Sequence, residues 1–61
     1  MEQDGLLRLP QVIGLTALSR SEIYRKIAAG TFPKQRRHSH KVARWSKLEV
    51  DAWVADFLRA A

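Results

Sequence analysis

Sixty-one residues without a cysteine leave room for one domain and for neither a disulfide framework nor a thiolate zinc site, so a reducing cytoplasm is the expected setting. The formal charge of +5 favours a polyanionic partner, and no apolar run approaches the roughly 20 residues of a membrane span. Residues 1–5 read as a flexible, polar tail, acidic at Glu2 and Asp4 where a secretory signal would be basic, and residues 6–61 as the folded domain. A chain this short buries only roughly 60% of its unfolded surface, so every large apolar side chain carries weight.

Leu6-Leu7-Arg8-Leu9 reads as a short extended piece leading to Pro10, which suits the first position of a helix because its missing N–H is not needed there. Leu9, Val12, Ile13 and Thr16 follow the i, i+3, i+4, i+7 spacing, which predicts a first helix ending near Thr16. Ser19-Arg20-Ser21-Glu22 is a capping box and starts a second helix at Arg20. That helix runs to about Ala29, where Gly30 supplies a left-handed stop. Ala17, Leu18 and Ser19 make a connection of helix-turn-helix length.

From Phe32-Pro33 to Trp45 the helical period is lost, and the basic segments Lys34 to Arg37 and Lys41 to Arg44 flank His38-Ser39-His40. This predicts a two-stranded wing, with Ala43 and Trp45 on the core face of the return strand and Val42 and Arg44 on the other. Ser46-Lys47-Leu48-Glu49 is a second capping box, and Val50, Trp53, Val54 and Phe57, continued by Ala61, form the apolar stripe of a last helix over about Lys47 to Ala60. Trp53 and Phe57 are expected in the core, and this helix is expected behind it, away from a ligand. The predicted fold is mainly α with a small β-hairpin wing: a three-helix winged helix-turn-helix.

The charge is placed unevenly. Between Ser19 and Lys47 lie nine of the eleven Lys/Arg residues against one of the six acids, a net +8, while the rest of the chain nets −3. On the second helix, about 100° per residue turns Ile23 and Ile27 inward and Ser21 and Arg25 outward. Ala28 and Ala29 beside them let the backbone approach a groove, and an arginine fork can hydrogen-bond guanine O6 and N7. Ser21 and Arg25 are therefore the candidates for base contacts. Arg20, Tyr24 and Lys26 sit near the rims of that helix, where they meet sugar-phosphate and add affinity without selecting sequence. Lys34, Arg36, Arg37, Lys41 and Arg44 on the wing are assigned the same role, with His38 and His40 at a tip facing DNA or solvent.

His38 and His40 have no cysteine or neighbouring carboxylate to complete a zinc set, so no metal is assigned. No Ser/His/Asp set, paired carboxylates in an apolar pocket or Gly-rich phosphate loop is present, which argues against an enzyme, a cofactor or a small-molecule substrate.

The strings Leu7-Arg8-Leu9-Pro10-x-Val12, Leu18-Ser19-Arg20-Ser21-x-Ile23-Tyr24-Arg25-x-Ile27-x-x-Gly30-x-Phe32-Pro33 and Arg44-Trp45-x-x-x-Glu49-Val50-x-x-Trp53 resemble the AlpA family of prophage regulators. That family in turn is similar to the MerR-type and excisionase winged helices. The resemblance covers about residues 6 to 58. It implies a cytoplasmic, nucleoid-associated regulator that binds double-stranded DNA, controls integrase genes and favours prophage excision, with an integrase or RNA polymerase as protein partner. Relatives usually carry glycine at the wing tip, where this chain has His38-Ser39-His40, which makes a tight two-residue turn harder to form. Since one reading helix and a wing make a small footprint, a homo-oligomer on DNA is expected. Two alternatives use the same residues: an excisionase-type architectural factor, and a protein-interaction module such as an antirepressor.

Overall fold

The structure, a computed structural model, describes residues 5–39 and 42–60, with only the backbone of His38 and Ser39. Its elements in chain order are β1 (Leu6–Leu7), α1 (Leu9–Thr16), α2 (Arg20–Ala28), β2 (Arg36–Ser39), β3 (Val42–Ser46) and α3 (Lys47–Ala60). The expected architecture of three helices and a β wing is the one observed. His40, Lys41, the tail residues Met1 to Asp4 and Ala61 lie outside the described residues.

α1 begins one residue earlier than the proline predicts: Leu9 is its first residue and Pro10 its second. Arg8 precedes it, with its N–H donating to Gln11 Oε1 at 2.8 Å and its carbonyl accepting from the Gln11 and Val12 amides. Pro10 still costs nothing there, because the second amide of a helix has no intrahelical acceptor. The helix ends on Ala17 with φ 60°, the left-handed region, while the Thr16 hydroxyl donates to the Val12 carbonyl at 2.8 Å and accepts from the Leu18 amide at 3.3 Å. Those bonds turn the chain into α2 within three residues.

α2 is held at both ends. The capping box predicted at Ser19 is formed in both directions: the Glu22 amide donates to Ser19 Oγ at 3.1 Å and the Ser19 amide to Glu22 Oε1 at 2.9 Å. At the other end Gly30 takes φ 77°, the Thr31 amide reaches the Lys26 carbonyl and the Gly30 amide the Ile27 carbonyl. This is the paired-bond termination that a glycine after the helix permits.

The wing belongs to a three-stranded antiparallel sheet of order β1-β3-β2. Leu6 faces Ser46 and Leu7 faces Trp45 across one ladder, so the extended piece before α1 is a strand. Across the other, Arg36 faces Arg44, Arg37 faces Ala43 and Ser39 faces Val42, with an irregularity between Arg37 and Ser39. Leu7, Val12, Ile23, Phe32, Trp45 and Val50 are buried, and Leu9, Ile13, Leu18, Tyr24, Ile27 and Trp53 pack against them. Trp45 ties the pieces together: it is 1% exposed, donates to the Pro33 carbonyl at 3.2 Å and meets the Tyr24 ring edge-on at 6.3 Å.

One expectation fails on α3. Val50 is buried and Trp53 half-buried, its indole donating to the Thr31 carbonyl at 2.9 Å and its ring edge-on to Phe32, but Phe57 is 59% exposed. The helix outruns the body it packs on, so the apolar period continues where no core remains to receive it. Phe57 stacks on Trp53, at 5.6 Å and 21°.

Candidate nucleic-acid interface

α2 presents two unlike sides. Ile23 is completely buried, and Ser21, Arg25, Ala28 and Ala29, on the far side of the helix, are exposed. Arg20 is exposed as well, while Tyr24 and Lys26 are half-buried at the flanks. A cap at each end and an isoleucine locked in the core leave the helix little freedom to rotate about its axis. Side chains one turn apart on its outer side, Ser21 and Arg25, are thus presented in a fixed relation. The hydrogen bonds from Ser19 hold the Glu22 carboxyl below the usual glutamate range, with Arg25 and Lys26 adding to the effect. The sole acid of this segment is thereby spent on the cap at the helix N-terminus, where negative charge is favoured.

Of the described wing cations, Lys34, Arg36 and Arg37 are exposed and Arg44 is half-buried. Arg36 and Arg44 face each other across the β2–β3 ladder and are partly engaged within the domain: Arg36 pairs with Glu49 of α3 at 2.9 Å, and Arg44 Nη1 donates to the Ala43 carbonyl at 2.9 Å. Nothing in local sequence marks the Arg36–Glu49 pair, whose members are thirteen residues apart. Glu49 also donates its amide to Ser46 Oγ at 3.2 Å, as the second capping box predicts. His40 and Lys41, and the side chain of His38, fall outside the described residues.

Arg36, Arg37 and Arg44, with Leu6 and Val42, line an open groove of about 420 Å³ on the sheet. Sequence reasoning did not find it, because it arises where β1 meets the wing and β1 is only two residues long. Among the described residues no three of His, Asp and Glu converge as a metal site would require, and no helix is long and apolar enough to cross a membrane.

Comparison with known proteins gives concordant matches. The chain is 45% identical over 53 residues to the uncharacterized protein ORF88 of Enterobacteria phage P4, covering 87% of this chain and 60% of that protein. It is 36% identical over 56 residues to the DNA-binding transcriptional activator AlpA of Escherichia coli (strain K12), covering 82% of this chain and 80% of that protein. No solved structure gives a significant match. The family model of the prophage CP4-57 regulatory protein (AlpA) matches residues 5–58, which spans every helix and strand described above but the last two residues of α3. The chain belongs to the AlpA family of prophage regulatory proteins.

Proposed function

We propose that this chain is a non-enzymatic, sequence-specific transcriptional regulator that lays α2 in the major groove of duplex DNA. The observation that carries this reading is the two-sidedness of α2: Ile23 fixed in the core, and Ser21, Arg25 and two alanines turned outward on a helix capped at both ends. Arg25 offers its fork to a guanine and Ser21 bonds a neighbouring base edge, while Ala28 and Ala29 allow close approach. Arg20, Tyr24, Lys26, Lys34 and Arg37 meet sugar-phosphate. Arg36 and Arg44 join this anchoring, each with one donor held by Glu49 or the Ala43 carbonyl. The Escherichia coli relative, named a DNA-binding transcriptional activator, supports DNA binding and transcriptional regulation.

The regulated gene in this reading is a prophage integrase gene, and the site of action is the bacterial cytoplasm. Selection of bound duplexes from a random pool, followed by footprinting on host DNA, tests both levels. Enrichment of one motif with a protected site upstream of an integrase gene is the expected result. Tandem protected sites inside an attachment region would instead identify an architectural excision factor, and failure to enrich any motif would overturn sequence-specific reading altogether.

A further inference from the structure

The wing sets two arginines against each other. Arg36 and Arg44 are partners on the β2–β3 ladder, and neither strand carries an acid. Like charges directly opposite on a ladder repel and weaken the pairing. The compensating charge comes from outside the wing: Glu49, in the first turn of α3, accepts from Arg36 Nη2 at Oε2, at 2.9 Å. Its backbone is fixed separately, because the Glu49 amide donates to the hydroxyl of buried Ser46 at 3.2 Å. A carboxylate on a fixed stem is thus aimed at a cation that duplex DNA would also claim.

Two roles are open to such a carboxylate, and their signs differ. A strut holds the wing in place, so its loss weakens DNA binding. A competitor occupies a cation that a phosphate would take, so its loss strengthens binding. Magnitude separates them. The side chains of the pair are 70% and 41% exposed, and an ion pair this open to water stabilises a fold little. The wing is held by larger forces: β3 pairs with β1 at Leu6 and Leu7, and Trp45 is buried and bonded to the Pro33 carbonyl. No strut is needed, whereas a phosphate that takes Arg36 leaves the Glu49 carboxylate unpaired beside a polyanion.

We propose that Glu49 is an intramolecular competitor for phosphate: its carboxylate occupies Arg36 in the free protein, and duplex binding has to displace it. This inference deepens the reading under Proposed function and rests on it. Phosphates are the same at every sequence, so the competition lowers affinity for all duplexes alike and leaves the base contacts of α2 untouched. Occupancy at a given salt then depends more on what Ser21 and Arg25 add.

The test is fluorescence anisotropy of the full chain on a selected and a random duplex over a range of salt; the random duplex suffices if no motif is enriched. It compares wild type with Glu49→Gln, Arg36→Gln, the double variant and Asp51→Asn. Glutamine keeps the amide bond to Ser46 and serves at this position of a capping box, so circular dichroism should match wild type. Asp51, paired with Lys47 at 2.7 Å, controls for the loss of one negative charge from the same helix. Glu49→Gln should bind both duplexes about fivefold more tightly, the equivalent of about 1 kcal/mol. Its salt slope should steepen by up to about one unit, since in the wild type the freed carboxylate takes up a cation as the phosphate releases one. The gain should be larger than that of Asp51→Asn and should vanish when Arg36 is already glutamine. Weaker binding or loss of fold in Glu49→Gln would identify a strut and overturn the proposal. A gain that persists without Arg36, or that Asp51→Asn matches, would show a general effect of charge and overturn it as well. Wild-type binding with no gain from Glu49→Gln would sink this inference alone, whereas a wild type that binds no duplex would sink the DNA reading and this inference with it.

Discussion

Glu22 and Trp45 show how individual side chains set the start of α2 and tie the wing to the core. The Glu22 carboxylate accepts the Ser19 amide and so sits below the ordinary glutamate range. A folded-state value that is depressed contributes stability fully above the unfolded value, and the contribution is lost as pH falls through the folded value. An NMR pH titration should therefore find Glu22 titrating below a free glutamate. In Ser19→Ala, which removes the hydroxyl but keeps the amide, it should move part of the way back up. An unshifted Glu22 in the wild type would mean that the cap is not formed in solution. Trp45, fully buried and bonded to Pro33, should cost about 3–5 kcal/mol on truncation to alanine, and half-buried Trp53 less. In a domain whose whole stability is of the order of 5–15 kcal/mol, urea melts should show Trp45→Ala largely unfolded, while Phe57→Ala stays near wild type. A Phe57→Ala variant as damaged as Trp45→Ala would contradict the observed exposure of that ring.

The helix ends carry most of what could be read in advance. Ser19 with Glu22 and Ser46 with Glu49 are local patterns whose bonds span three residues, and they announce α2 and α3 within the chain itself. Features that depend on distant partners are silent in sequence: the β1–β3 ladder, the Arg36–Glu49 pair and the anchoring of Trp53 on Thr31. Phe57 is the instructive failure, since a helical period says which side of a helix is apolar but not where the body beneath it stops. The outward side of α2 was legible because it is the complement of a stripe formed by buried Ile23 and half-buried Ile27, whereas the groove on the sheet joins residues from three strands. At the turn between α1 and α2, Ala17 sits at φ 60° with a side chain that disfavours it, and the Cβ that Gly14 lacks would meet nothing within 4 Å. Ala17→Gly and Gly14→Ala should each stabilise the domain by about 0.5–1 kcal/mol, and Gly30→Ala, at φ 77°, should destabilise it. Thermal melts check all three, and a lowered midpoint for Ala17→Gly would show that the left-handed turn is not retained.

For the molecule as a whole, the segregation of charge between a +8 segment and a −3 remainder makes binding electrostatic in strength and local in selectivity. If about five cations neutralise phosphates, the log–log salt slope of duplex affinity should be roughly −4 to −5. Duplex RNA of matched length should compete poorly, because side chains on a helix cannot read the deep, narrow major groove of the A form. A slope near zero would remove the electrostatic role of the wing and the flanks of α2. The division of labour between reading and anchoring is tested most directly by comparing Arg25→Ala with Arg37→Ala on a selected duplex and on a random one. Arg25→Ala should lose about 1–3 kcal/mol on the selected duplex and little on the random one, while Arg37→Ala should weaken both alike and flatten the salt slope by about one unit. Equal losses for the two variants on both duplexes would contradict the assignment of α2 as the reading helix.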